Sequence, residues 1–349
     1  MARSRVARQA LGRRVRRSGV DDRRHGHRAV SRAGGRRARS GAAAPRRAPV
    51  RGRDRGPGPR RARAHLGAHL GAGLQRSRGR RAPRAGGDEA PLSEERVQEL
   101  AALTWEEARD LDRPHTVAIL PVGAIEAHGP HLPLGTDTII AIAMARAGAQ
   151  RLASEGLGAV LLPPISYAPA PFARGFAGTL SIAASALRDL LLETARELTR
   201  LEFRALGIAN VHLDPAQRAA LTEATERAAM EHLLPVACPD LTRRTVAARL
   251  SDEFRSGACH AGRFEGSILL AERPELVRED IRNALPPNPA SLSTAIRAGL
   301  TSFEQAGGPR AYFGWPADAT EEEGRATVET LGAILAEAVH ETLALRGTT

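Results

Sequence analysis

The chain has 349 residues and a formal net charge of +12, but this charge is distributed unevenly. Residues 1–90 contain 27 Arg and 5 acidic residues, a net charge of +22, whereas the remaining residues carry a net charge of −10. No run approaches the ~18 apolar residues of a membrane-spanning helix, and two cysteines are too few for a disulfide framework. We therefore expect an acidic cytoplasmic protein with a basic leader, without a membrane span.

The leader, residues 1–90, contains no Phe, Trp or Tyr and is dominated by Arg, Ala, Gly and Pro. Such a segment cannot bury enough apolar surface to fold, so we expect it to be disordered. The chain has no Lys, which together with the abundant Arg, Ala and Gly indicates a GC-rich coding sequence. We interpret the leader as a non-native extension, such as a start codon placed too far upstream. A genuine disordered tail and a nucleic-acid-binding arm are the alternatives, and the missing aromatic residues disfavour the second.

Residues 91–349 are predicted to form one domain in which strands and helices alternate. Repeated strand–helix units predict an α/β fold with a mainly parallel sheet and helices on both faces. The predicted elements, in chain order, are a strand at 116–122, a helix at 138–153, a strand at 159–163, a helix with apolar residues from Leu187 to Leu201 and an N-cap at Ser181 or Ser185, a strand at 205–210, a helix at 215–233, a strand at 234–239, and a last helix beginning at a capping box of Thr320 and Glu323.

The first chemical cluster directly follows the strand at 116–122. Glu126, His128, His131 and Asp137 lie within a short segment that is rich in Gly and Pro. Carboxylate oxygen and neutral imidazole nitrogen are suitable ligands for Zn, Mn or Fe(II), so the segment predicts a divalent-metal site. For His131, a role as a ligand and a role as a hydrogen-bonding residue of the loop are both open.

A second cluster follows the strand at 205–210, where His212 and Asp214 are two residues apart. A His-x-Asp pair by itself is more typical of a loop hydrogen bond than of a metal site. Parallel strands, however, bring ligands to the carboxyl edge of their sheet. We therefore expect both residues to join the first cluster.

A third cluster contains His260 and Glu265, before the apolar run 268–271. The functional interpretation makes His260 a proton shuttle beside the metal ions, and the alternative is a helix start with a surface histidine. The neighbouring Cys259 is interpreted as a small buried residue and not as a nucleophile, because no His–Asn or His–Asp arrangement accompanies it.

These segments together resemble the creatininase (creatinine amidohydrolase) family. The matching run covers residues 120–137, with further support from 176–181 and 260–265. The resemblance extends from about Leu103 to the C-terminus. It implies a three-layer α/β/α sandwich that binds two divalent metal ions and assembles as a homo-oligomer, usually a hexamer.

Carried over position by position, the resemblance also implies roles for individual residues. The implied metal ligands are Glu126, His128, Asp137, His212 and Asp214, with Asp137 bridging both ions, and the implied catalytic residues are His260 and Glu265. The chain departs from creatinine-cleaving members at three places. They have Glu at the position of Asp214 and Tyr at that of Leu213, and they carry an aromatic–acid pair that residues 256–257 lack. A creatinine pocket is therefore not evident.

The function implied is that of a metal-dependent amidohydrolase acting on a non-peptide C–N bond. A metal-bound hydroxide would attack a small cyclic amide or a related small-molecule amide, and His260 would protonate the leaving nitrogen. A peptidase or a deformylase of the same family is the first alternative. Nucleic-acid binding through the leader is the alternative from another class.

Overall fold

The structure, a computed structural model, describes residues 97–347. The predictions for the leader, and the start of the domain at residue 91, lie outside these residues. The strands are β1 (Gln98–Glu99), β2 (Thr116–Val122), β3 (Gly158–Leu161), β4 (Ala205–Asn210) and β5 (Val236–Ala237). The α-helices are α1 (Trp105–Arg109), α2 (Thr136–Ser154), α3 (Ala184–Arg200), α4 (Pro215–Met230), α5 (Arg244–Ala247), α6 (Asp252–Ser256), α7 (Arg263–Glu272), α8 (Glu279–Asn283), α9 (Leu292–Arg297) and α10 (Glu321–Gly347).

The strands form a five-stranded sheet in the order β1-β3-β2-β4-β5, and every neighbouring pair is parallel. The central strands β2 and β4 are buried along their whole length. Strands of a parallel sheet are covered on both faces, which explains why both read as continuous apolar runs. The predicted α/β class with a parallel sheet is confirmed.

Two apolar cores lie on opposite faces of this sheet. One contains buried side chains of α2, α7 and α10, among them Met144, Ile268 and Leu335. The other contains side chains of α3 and α4, among them Leu191 and Leu221. The fold is therefore the predicted three-layer α/β/α sandwich. No helix within residues 97–347 is long and apolar enough to cross a bilayer.

The predicted elements agree with the structure most closely along the two central strands, β2 and β4. β2 has the predicted bounds, whereas α2 begins two residues early, at Thr136. The predicted N-caps of α3 were wrong: its N-cap is Ala183, which makes no side-chain capping bond. Ser181 instead accepts a hydrogen bond from the Ala170 amide (3.0 Å). This bond links two loop segments, so the side chain of Ser181 does not cap the helix. The predicted strand at 234–239 is reduced to the two residues of β5.

The register of β2 and β4 places the two predicted clusters together. Val122 and Asn210, the last residues of these strands, are paired directly across the sheet. The loops that follow both strands therefore leave the same edge at the same height.

Candidate metal centre

The loop after β2 is fixed by backbone hydrogen bonds on both of its sides. The Glu126 amide donates to the Leu134 carbonyl (3.0 Å), which closes the loop on itself. The Leu180 amide donates to the Ile125 carbonyl (2.9 Å), and the Ala127 amide donates to Oγ1 of Thr179 (3.2 Å). The segment at 176–181, which the sequence linked to the first cluster, thus supports the loop that carries Glu126 and His128.

Asp137 lies in the first turn of α2 and is buried. A carboxylate in this position is stabilised by the positive end of the helix dipole. Gly123 permits the close approach of the loop to this turn, because a Cβ atom there would overlap the backbone of Thr138.

Three histidines of the site share one arrangement. Each has one ring nitrogen against a backbone carbonyl: His128 Nδ1 with Glu126 (3.1 Å), His212 Nε2 with Pro169 (2.9 Å) and His260 Nε2 with Ala127 (2.9 Å). A carbonyl can only accept, so the nitrogen that faces it carries the proton. In the neutral form of each ring, which is the form that binds a metal ion, the other nitrogen has a free lone pair. Metal-binding histidines characteristically have this second-shell bond.

The free nitrogens converge on three carboxylates. His212 Nδ1 lies 3.1 Å from Glu126 Oε1 and 3.1 Å from Asp137 Oδ2. His128 Nε2 lies 3.4 Å from Asp137 Oδ1 and 3.5 Å from Glu265 Oε2. His260 Nδ1 lies 3.8 Å from Glu126 Oε1. The structure thus brings together residues from all three predicted clusters.

Within residues 97–347, three groups of these side chains offer ligand atoms within 4.8 Å of one another. They are Glu126–Asp137–His212, His128–Asp137–Glu265 and Glu126–His128–His260. Asp137 belongs to two of the groups, as expected for a residue that bridges two ions. All six side chains are buried.

Several ligand atoms of these groups have no hydrogen-bond partner although they are buried. They are Glu126 Oε2, His128 Nε2 and Asp137 Oδ2. Leaving such atoms without a partner is costly, by about 1–3 kcal/mol for each neutral group and more for a charged one. A cation between them would supply the missing interaction. The residues present therefore fit divalent metal ions.

The pKa values show how the cluster behaves without a cation. Burial opposes the charge on His128, but the carboxylates of Asp137, Glu265 and Glu126 outweigh it and raise the pKa of His128 to about 10. Burial, with the neighbouring charge of Asp137, raises the pKa of Glu265 to about 8. Burial and the neighbouring His128 lower the pKa of His260. Protons thus occupy the cluster in place of a cation, and metal binding must displace them.

Asp214 is the one predicted ligand that belongs to none of the three groups. It is the N-cap of α4, where its Oδ1 accepts from the Ala216 amide (2.8 Å). Its Oδ2 is buried without a hydrogen-bond partner, and its pKa is raised by burial. Its assignment as a ligand stays a prediction.

His131 is also buried and belongs to none of the groups. Its ring packs edge-on against Tyr312 with centroids 6.5 Å apart, and neither ring nitrogen has a hydrogen-bond partner. Burial lowers its pKa to about 4, so the ring is neutral at neutral pH. The contact with Tyr312 gives His131 a packing role, which differs from the hydrogen bond to the loop considered above, and its role as a ligand stays a prediction.

A cavity of about 450 Å³ opens onto the cluster. His260 lines it and is held between two rings, with centroid distances of 4.4 Å to His128 and 4.3 Å to Phe303. Phe303 could not be found from the sequence, since His260, its partner, is far away in the chain. Leu213 and Gly257 also line the cavity, so the positions that depart from creatinine-cleaving proteins form part of its wall.

Comparison with known proteins identifies the class to which this fold and site belong. The Creatininase family model, described as creatinine amidohydrolase, matches residues 101–339. The chain is 36% identical over 239 residues to a mycofactocin precursor peptide peptidase of Mycobacterium ulcerans (strain Agy99), which covers 66% of this chain and 87% of that protein. It is 28% identical to a creatinine amidohydrolase of Pseudomonas putida, covering 51% of this chain and 73% of that protein.

Solved structures support the same fold. A crystal structure of creatinine amidohydrolase (creatininase) superimposes with a TM-score of 0.54 at 23% identity, covering 70% of this chain and 97% of that chain. The chain is a member of the creatininase family, and the resemblance found in the sequence is confirmed.

Proposed function

We propose that the chain is a divalent-metal-dependent hydrolase that cleaves an amide bond of a peptide. The observation that carries the metal dependence is the convergence of ligand side chains from the loops after β2 and β4, from the start of α2 and from α7, several of whose buried atoms have no hydrogen-bond partner. Divalent ions bound there would activate water and polarise the carbonyl of the amide. Two matched creatininase structures are described as a Mn form and a Zn-Zn form, which supports Mn or Zn over Fe.

Two ions would be held by overlapping sets of residues. Glu126, His212 and Asp137 would hold one ion, and Asp137 would also belong to the set that holds the second ion. His128 and Glu265 would complete the second set, since both lie close to Asp137. This differs from the assignment by resemblance, which gives the last position to Asp214 and a catalytic role to Glu265.

His260 is the residue best placed to move a proton. Its Nδ1 faces the cluster with a free lone pair, because Nε2 donates to the Ala127 carbonyl. Because its pKa is lowered, the ring is neutral at neutral pH and can accept a proton. A ring held between His128 and Phe303 has a fixed orientation. We infer that His260 accepts a proton during attack by water and delivers it to the leaving nitrogen.

Two observations favour a peptide over creatinine. A cavity of about 450 Å³ is within the range that holds drug-sized ligands, and is larger than a single small ring needs. The chain also matches a mycofactocin precursor peptide peptidase of Mycobacterium ulcerans over 87% of that protein's length, and the name of this relative states a peptide substrate. A small cyclic amide is the second candidate, supported by the description of the family model.

A substrate screen tests this proposal. The protein, purified and loaded with Mn²⁺ or Zn²⁺, would be assayed with short peptides, creatinine and a formamidopyrimidine, and each assay repeated after chelation. We expect hydrolysis of peptides that is lost on chelation and restored by metal. Turnover of creatinine alone would support the second candidate, and chelator-resistant hydrolysis would contradict the metal-dependent function.

The remaining expectations are part of the same proposal. We propose that residues 91–349 form the catalytic domain, that it assembles as a homo-oligomer and that it acts in the cytoplasm. Light scattering of the purified protein measures the oligomeric state. Mass spectrometry of the N-terminus decides whether residues 1–90 belong to the native protein, on which any nucleic-acid binding depends.

A further inference from the structure

Outside the metal cluster, the structure contains a second buried carboxylate with an unusual set of partners. Glu253 in α6 is buried and is surrounded by three backbone amides. Its Oε1 accepts from the amides of Arg263 (2.8 Å) and Trp315 (2.7 Å), and its Oε2 accepts from the amide of Phe264 (2.6 Å). No bound metal or substrate is needed to explain these contacts.

Two of these amides belong to the first turn of α7. The N-cap of this helix is Gly262, which has no side chain to cap it. The first amides of a helix lack partners inside the helix, and a negative charge near them is stabilised by the helix dipole. Glu253 therefore replaces the missing local cap from a different helix.

The backbone around Glu253 is shaped to admit its carboxylate. A Cβ atom at Gly262 or at Gly314 would overlap Glu253 Oε1. Both glycines border the segments that Glu253 joins, namely the start of α7 and the loop at 313–315. Two separate stretches of the chain thus leave room for the same carboxylate.

The joined segments carry the chemistry of the proposed site. Glu265 lies in the first turn of α7, directly after the amides that Glu253 binds. His260 lies just before the helix, and its carbonyl accepts from the amide of Phe313 (2.8 Å), two residues from Trp315. The Ala261 amide, between them, donates to Glu265 Oε2 (2.6 Å). The amides that Glu253 binds in α7 therefore lie within four residues of His260 and within two residues of Glu265.

We propose that Glu253 is a positioning residue of the active site, which holds the start of α7 against the 313–315 loop and thereby fixes His260 and Glu265 relative to the metal ions. Glu253 does not line the cavity and belongs to none of the three ligand groups. This inference rests on the proposed metal-dependent function, because fixing His260 and Glu265 matters only if they act beside bound metal ions.

The test compares Glu253→Ala and Glu253→Gln with Leu192→Ala, a control that destabilises the core on the opposite face of the sheet. The readouts are Co²⁺ titration, the visible absorption of bound Co²⁺, and kcat and KM on the peptide identified by the screen. Thermal unfolding would show which variants are folded. The Co²⁺ readouts report the geometry of the centre without any turnover.

We expect Glu253→Ala to weaken binding of one Co²⁺ at least about tenfold, to change the absorption bands and to lower kcat more than it raises KM. Glu253→Gln keeps one acceptor oxygen, so its changes should be in the same direction but smaller. Leu192→Ala should lower the unfolding temperature and leave Co²⁺ binding as in the wild type.

A folded Glu253→Ala protein with wild-type Co²⁺ affinity, spectrum and kcat would overturn the inference. If that variant does not fold, an unchanged Glu253→Gln protein overturns it equally. Equal changes in the Leu192→Ala control would show a purely structural role and also overturn it. A wild-type chain that binds no Co²⁺ would instead contradict the proposed function, so the two failures are distinguishable.

Discussion

The Nδ1 atom of His212 lies 3.1 Å from Oε1 of Glu126. These residues follow β4 and β2, which are separated in the chain by β3 but adjacent in the sheet. The side chains meet because parallel strands end at one edge. The Pro169 carbonyl, by accepting from Nε2, directs Nδ1 toward the carboxylates.

Replacing His128 with Ala should weaken binding of the second ion and remove hydrolysis. Its imidazole is buried, and its loss leaves Asp137 and Glu265 close together without the nitrogen between them. We expect affinity for the second ion to fall by more than the roughly 10–100-fold that loss of an outer-shell partner costs. Elemental analysis and a hydrolysis assay measure both effects. His340→Ala, an exposed histidine paired with Glu155, is the control; full metal content in His128→Ala would show that His128 is not a ligand.

The variants Glu265→Gln and Asp214→Asn distinguish the two candidates for the last ligand position. Glu265 lies 3.5 Å from His128 Nε2, whereas Asp214 caps α4. Asn is a good N-cap, so Asp214→Asn keeps the helix intact. We expect Glu265→Gln to lower the stoichiometry from two ions to one, and Asp214→Asn to retain two, as measured by isothermal titration with Mn²⁺. The opposite pattern would restore the assignment by resemblance.

Metal affinity should increase with pH. The pKa of His128 is raised to about 10 in the metal-free protein, so the ring is protonated at neutral pH and must lose its proton to bind an ion. Affinity should therefore rise by about tenfold per pH unit for each proton displaced, below pH about 10. Calorimetry in buffers of different ionisation enthalpy would count the released protons. Binding without proton release between pH 6 and 9 would contradict this arrangement.

The thiols should be unreactive in the folded protein. Burial raises the pKa of Cys238 to about 12 and that of Cys259 further still, so almost no thiolate is present at neutral pH. We expect iodoacetamide at pH 7.5 to alkylate both thiols slowly in the folded protein and rapidly after unfolding. Mass spectrometry measures the extent of alkylation over time. Cys259→Ala should retain hydrolysis; its complete loss would revive the interpretation of Cys259 as a nucleophile.

Gly123→Ala should disturb the centre through the backbone. The added Cβ would overlap Thr138 at the start of α2, which carries Asp137. We expect a loss of about 1–3 kcal/mol in the free energy of unfolding, with weaker metal binding. Gly156→Ala is the matched control, because it has a φ of +83° but no atom near its Cβ. It should lose roughly 1–2 kcal/mol by backbone strain and keep metal binding; equal metal affinity in both variants would contradict the prediction.

The sequence predicted what is local and periodic. β2 and the cluster from Glu126 to Asp137 are contiguous, so their residue types alone indicate a strand followed by metal ligands. The meeting of His212 with this cluster followed from the rule for parallel strands. The sequence could not predict that Glu265, and not Asp214, lies within a group of ligand atoms, because this depends on how α7 is oriented against the sheet.

Contacts to backbone amides were hidden from the sequence for a related reason. In the sequence, Glu253 looks like an ordinary acidic residue in the first turn of a short helix, two residues after the N-cap Ser251. Its partners are main-chain groups, one of them at Trp315, and every residue except proline has such an amide. No pattern of side chains could indicate this contact.

The measurement that tests the central claim most directly is anomalous diffraction from crystals of the protein grown with Mn²⁺. We predict two anomalous peaks in the cluster, which mark two Mn²⁺ ions. One ion would be bound by Glu126, Asp137 and His212, and the other by His128, Asp137 and Glu265. Absence of any peak between these side chains, with Mn²⁺ present at saturating concentration, would contradict the claim that they form a metal centre.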